Sequence, residues 1–233
     1  MTDPRLTVHD TAGAIGEALA DRLAGDLAHA LRGGGRAGLV VAGGSTPVSV
    51  FELLSVRDLD WARVSVTLTD ERRVPPDHDG SNARLLRETL LRGPAASATF
   101  LPLSAGVADG ATEAAAANRL LAEFPWPAAA TLIGMGLDGH IASLFPRTAA
   151  LAAGLEPREG QRAIAIRPDP LPADAPFARI SLTLPALCDS ADVCLMIRGA
   201  DKRAVLERAL VADEANSLPV GALLRRAHVP LSI

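Results

Sequence analysis

His140 is the residue best placed to do chemistry in this sequence. It lies in the stretch Thr131–Pro146, where an apolar run passes into a turn carrying Gly134, Gly136 and Gly139. An imidazole changes charge near neutral pH and can act there as base or acid. Asp138 is close by, and glycine turns surround the ring, which sets His140 apart from the other four histidines. His9 and His228 have no polar company, and His29 lies among small residues of an alanine-rich stretch. His78 stands between Asp77 and Asp79, but no second pair with matching spacing completes a metal site, so it reads as a solvated loop residue. No metal is expected.

Two further groups carry unusual residues. Gly43-Gly44-Ser45-Thr46 combines flexible backbone with two hydroxyls before a helix whose first position suits Pro47. Outward N–H groups and the helix dipole make this either an anion cradle, with phosphate the natural guest, or an ordinary turn capped by Ser45 or Thr46. The G-K-[ST] ending of nucleotide-hydrolase phosphate loops is missing. Asp70-Glu71-Arg72-Arg73 stands at a strand end. It reads as a structural ion-pair network or as an acid and a guanidinium that orient a polyol and bind its charge. Arg179 and Lys202 are later cations near strand edges. Lys202 is unfavourably placed against its helix dipole unless an anion lies near.

These groups need strands and helices to bring them together. Ile15, Leu19, Leu23, Leu27 and Leu31 recur every four residues through Thr11–Arg32 and predict a helix that Gly33–Gly35 stops. Short apolar runs predict strands at Gly38–Ala42, Val64–Thr69, Thr99–Leu103, Thr131–Gly134, Arg162–Arg167, Arg179–Leu184, Val193–Arg198 and near Val229–Ser232. Helices are predicted after Pro47, from Ser81, over Asp109–Phe124, from Gly199 and near Pro219–Arg226. This alternation predicts a doubly wound, mostly parallel α/β sheet with helices on both faces, Rossmann-like in class. One domain, 1–233, is expected. Gly43–Pro47, Asp70–Arg73 and Gly134–His140 are then three strand-to-helix turns gathered at the carboxyl edge, where such sheets bind ligands. Segment 147–178, rich in proline, is expected to be a lid or peripheral insertion.

Composition narrows the classes. A chain of 233 residues with 48% hydrophobic residues buries a full core, and a net charge of −4 gives no global attraction to nucleic acid or an anionic membrane. There is no tyrosine, so base-stacking platforms are not expected. No window approaches a membrane span and the first ten residues show no signal region, which predicts a cytoplasmic protein. Cys188 and Cys194 are expected to be reduced core thiols. Gly134–Gly139 satisfies G-x-G-x-x-G literally, but that dinucleotide fingerprint opens a long helix, and Pro146 follows too soon.

Five ordered stretches resemble the 6-phosphogluconolactonase family of the glucosamine-6-phosphate isomerase/deaminase superfamily. They are VVAGGSTP (40–47), TDERRVPPDHDGSNARLL (69–86), GMGLDGHIASLFP (134–146), RISLTLPAL (179–187) and GADK (199–202). The resemblance implies hydrolysis of 6-phospho-D-glucono-1,5-lactone, a small sugar phosphate lactone, without metal or organic cofactor. It implies His140 as general base, Asp70 and Arg72 in the sugar site, and Gly43, Gly44, Ser45, Thr46 and Lys202 around the phosphate, with Arg179 a further site residue. A monomer or weak homodimer is expected. The chain departs from the family at its end, AHVPLSI, where many members carry a tryptophan and an aspartate-alanine pair. Deaminases of the superfamily have a glutamate where this chain has Phe145, and an apolar ring cannot pass protons, so lactone hydrolysis is favoured over isomerisation. A Ser45 nucleophile is disfavoured because Pro47 replaces the last glycine of the G-x-S-x-G elbow. A non-catalytic sugar-phosphate sensor is the alternative from another class.

Overall fold

The structure is a computed structural model and describes residues 6–106, 108–171, 176–211, 218–226 and 231–232. Helix α1 (Ala12–Leu31) starts at Thr11, whose hydroxyl accepts from Ala14 N at 3.1 Å. Leu23, Leu27 and Leu31 are buried, while Ile15 and Leu19 pack half-buried against the same core. The four-residue stripe therefore does set the buried face.

The chain continues through β1 (Ala37–Val41), α2 (Val48–Ser55), β2 (Val64–Leu68), β3 (Asp70–Arg72), α3 (Asn82–Thr89), β4 (Thr99–Leu101) and α4 (Gly110–Leu121). Then come β5 (Ala130–Gly134), α5 (Leu151–Leu155), β6 (Ala163–Ile166), β7 (Arg179–Leu182) and α6 (Leu184–Cys188). Strand β8 (Val193–Met196), α7 (Ala200–Leu210), α8 (Pro219–Leu224) and β9 (Leu231–Ser232) complete it.

The main sheet has six strands in the order β4-β2-β1-β5-β8-β9, every pair parallel. Strands β1, β2 and β8 are buried throughout, as continuous apolar runs in a covered parallel sheet should be. From β1 the chain steps outward to β2 and β4, and from β5 it steps the other way to β8 and β9. The order thus reverses between β1 and β5, and a crevice opens there beyond the carboxyl ends.

This is the expected parallel α/β sheet, and the structure adds to it. A second, antiparallel sheet of three strands has the order β3-β7-β6. Asp70–Arg72 is its first strand, not a turn into a helix, and Arg72 lies opposite Arg179 in its register. The partner strand comes from more than a hundred residues later, so no local pattern could announce the pairing. Segment 147–178 is likewise more than an insertion. It contributes α5 and the edge strand β6, where Ile164 and Ile166 are buried. Asn118 of α4 fastens that strand, accepting from Arg162 N at 2.8 Å and Ala163 N at 3.0 Å.

Two boundary expectations also change. Strand β7 stops at Leu182, because Thr183 caps α6 and Pro185 sits in its first turn. Pro47 itself takes the N-cap position of α2, and neither Ser45 nor Thr46 caps it. Both cysteines are free and buried, and burial pushes the Cys188 thiol up to about 11. His9 and His29 lie towards the surface, and His228 falls outside the described residues. No helix among the described residues is long and apolar enough to cross a membrane.

Candidate active site

Strand β5 brings the chain to the crevice and Gly136 turns it. Gly136 N donates to His140 O at 2.9 Å, and Gly139 N donates to Gly136 O at 3.1 Å. This closes a tight loop that returns the histidine over its own base. A Cβ on Gly136 would lie 2.2 Å from both Cε1 and Nδ1 of His140 and 2.8 Å from Asp138 Oδ1. Only glycine admits the ring and the carboxylate at that distance. The stretch does not open a helix, so Gly134–His140 too is corrected from a strand-to-helix turn to a strand followed by a tight loop.

Within that loop Asp138 Oδ1 lies 2.5 Å from His140 Nδ1 and accepts from His140 N at 3.1 Å. Partial burial works against ionising Asp138. The hydrogen bonds and charge of His140 outweigh it and hold the carboxyl below its usual range. An ionised carboxylate only accepts, so Nδ1 carries the proton in this contact and Nε2 is the ring nitrogen not engaged by Asp138. Phe145 backs the ring, with centroids 4.4 Å apart.

A cleft of about 290 Å³ lies at the switch point, and all nine site residues expected from the sequence line it. They are Gly43, Gly44, Ser45, Thr46, Asp70, Arg72, His140, Arg179 and Lys202. Their engagement differs. Ser45 is exposed and Thr46 half-buried, and with no capping duty their hydroxyls are available to a ligand. Lys202 is half-buried in the first turn of α7, and burial lowers its pKa. No acid lies within ion-pairing range of it among the described residues. An ammonium so placed gains from a bound anion.

Asp70 is more committed. Its Oδ1 accepts from Thr69 Oγ1 at 3.1 Å, its Oδ2 accepts from Ser143 Oγ, and Arg179 Nη1 lies 3.8 Å from Oδ2. It ties the His140 segment to the second sheet and is 7% exposed, which suits a clamp better than a free base. Arg179 also lies over the Phe145 ring at 5.3 Å. Arg72 donates from Nη1 to Gly80 O at 2.8 Å, which aims its guanidinium along the cleft wall. Its neighbour Arg73 turns away, donating to Ala108 O beside Glu113.

Glu71 organises this wall from behind. It is buried and accepts from Arg72 N at 2.7 Å, Asn82 N at 2.8 Å, Ala83 N at 2.7 Å and Ser81 Oγ at 3.2 Å. Burial raises its carboxyl above the usual range despite those backbone donors. The carboxylate stands at the N-terminus of α3, where the orphan N–H groups and the dipole favour it.

Sequence reasoning left Asp138 and Asn82 off the list of site residues. The two-residue spacing of Asp138 from His140 was a usable signal. Asn82 lies inside the resembling stretch 69–86, but its place beside Gly43 arises only from folding. Ser45 makes no hydrogen bond to His140 among the described residues, so the geometry offers no activated serine.

A family model described as glucosamine-6-phosphate isomerases/6-phosphogluconolactonase matches residues 10–231. The 6-phosphogluconolactonase of Rhizobium meliloti is 39% identical over 226 residues, covering 97% of this chain and 96% of the relative. That of Pseudomonas aeruginosa is 40% identical over 229 residues, covering 98% and 93%. Among solved structures, a 6-phosphogluconolactonase from Shewanella baltica matches with a TM-score of 0.92 at 36% identity, over 99% of this chain and 97% of that one.

Proposed function

The chain belongs to the glucosamine-6-phosphate isomerase/6-phosphogluconolactonase family, and within it we propose a lactonase in which His140 activates the attacking water. The reaction is hydrolysis of 6-phospho-D-glucono-1,5-lactone to 6-phospho-D-gluconate in the oxidative pentose phosphate pathway. The observation that supports the role of His140 is its contact with Asp138, which engages Nδ1 and leaves Nε2 for the attacking water at the cleft.

A δ-lactone is an activated ester. Water attacks C1 while Nε2 takes its proton, and the carbonyl oxygen becomes an oxyanion. The C1–ring-oxygen bond then breaks and the imidazolium returns the proton to the ring oxygen, which leaves as the C5 hydroxyl. Arg72 and loop N–H groups are the donors for the oxyanion. Gly43, Gly44, Ser45, Thr46 and Lys202 grip the phosphate, and that remote grip orients the lactone face. Asp70 and Arg179 hold the wall that carries Arg72. Two buried free thiols suit a reducing, cytoplasmic setting.

Phe145 argues against an isomerase. Its ring is 7% exposed and packs on His140 where a proton relay would need a carboxylate. The test is His140→Ala, assayed for lactone disappearance above spontaneous hydrolysis. Turnover should fall by ~10²–10⁴-fold with the circular dichroism spectrum unchanged. Full activity would sink the assignment, and product binding with no turnover in the wild type would favour a sensor.

A further inference from the structure

Asn82 opens α3, yet its side chain does not serve that helix, which Ser81 caps by accepting from Arg84 N at 3.2 Å. Asparagine is also a poor helix former. Its amide instead reaches into the crevice. Nδ2 donates to the Asp70 carbonyl at 2.9 Å, and the side chain lines the same cleft as His140. The residue is 3% exposed, and among the described residues its Oδ1 is buried without a protein partner. A buried acceptor left unpaired is destabilising, so stability does not explain it.

The neighbour on the other side is the anion loop. A Cβ on Gly43 would lie 2.1 Å from Cγ, 2.2 Å from Oδ1 and 2.3 Å from Nδ2 of Asn82. The whole amide therefore occupies the space a side chain at position 43 would need. Backbone on one face and a hydrogen bond to β3 on the other leave the amide one seat.

We infer that Asn82 is a positioning residue for phosphate: its amide, seated on bare Gly43 and bonded to the Asp70 carbonyl, sets the anion loop against the strand that carries Arg72. The inference rests on the phosphate role given to that loop above. It makes glycine at 43 and asparagine at 82 one interlocking unit. The phosphate grip and the reacting end then share a fixed spacing, on which the near-attack geometry depends.

Asn82→Ala separates positioning from general support of the fold. Its kcat/KM should fall about 10-fold further with 6-phosphogluconolactone than with unphosphorylated glucono-1,5-lactone, which has no phosphate to place. Equal losses on both lactones would overturn the inference. Calorimetric binding of inorganic phosphate decides it independently of turnover: affinity about 10-fold weaker supports it, and unchanged affinity overturns it. An inactive wild type that still binds phosphate would therefore count against the lactonase reading alone. Gly43→Ala should abolish phosphate binding, and adding Asn82→Ala should recover it at least about 10-fold, since the clash is then removed. No recovery would overturn the interlock.

Discussion

In the proposed reaction the chemistry turns on how one imidazole is held. Asp138 fixes the tautomer from below and Gly136 leaves room for both groups. Asp138→Asn should lower kcat by on the order of 10²-fold or more with KM little changed, because the ring loses its preferred tautomer and orientation. Steady-state kinetics on the two proteins check this. Because Asp138 titrates below its usual range, it stays ionised at neutral pH, and an acid limb there reports another group. Lys202 carries a second pH signature. Burial lowers its pKa, so it loses its proton earlier on raising the pH than a solvated lysine would. Affinity for inorganic phosphate should therefore begin to fall below the ordinary lysine value of 10.5, and Lys202→Arg should move that fall upward. Titration calorimetry across alkaline pH measures both.

At the scale of elements, one short segment builds a wall of the site with no local signature of its secondary structure. Strand β3 has only three residues, Asp70–Arg72, and exists because β7 pairs with it. Alternation along it sends Glu71 behind the wall and Arg72 along the cleft. Glu71 then joins β3 to the start of α3. Glu71→Ala leaves three backbone N–H groups without their acceptor, and the expected loss is about 2–3 kcal/mol. Urea unfolding at neutral pH measures it. A loss confined to lactone turnover, with unfolding unchanged, would show that the cap is dispensable. The resemblance located this segment correctly, but the identity of its structure as a strand depended on a partner distant in the chain.

At the scale of the whole molecule, a second ionisable cluster lies among residues that do not line the cleft. Arg22 of α1 makes a bidentate pair with Asp192 at 2.7 Å and 2.6 Å, just before β8. Burial, with Asp192 adding to it, raises nearby Asp26 to about 6 from 3.8. The folded state thus holds a proton there that the unfolded chain has released. Stability falls as pH rises from about 4 to about 6, and the ionised Asp26 remains a cost above that. Asp26→Asn should therefore stabilise the protein at pH 7.5 by about 1 kcal/mol after solvent screening, or about 2–4 °C in Tm. The gain should vanish at about pH 3, below both the ordinary value of 3.8 and the folded value of about 6. Thermal unfolding at the two pH values tests the sign, and an equal gain at both would refute it.

The sequence by itself determined the parallel sheet, the α1 stripe and nine of the residues that line the cleft. Those features depend on local periodicity, on glycine and proline punctuation, and on motifs whose residues are near neighbours in the chain. Leu23 and Leu27 bury themselves because their spacing matches a helix turn, and His140 meets Asp138 because two residues and a glycine separate them. The tertiary structure alone decided that Asp70–Arg72 is a strand, that segment 147–178 supplies a sheet edge, and that Asn82 rests on Gly43. Each of these is a contact between segments distant in sequence. Its free energy comes from pairing and exclusion in space, which no local pattern of side chains encodes.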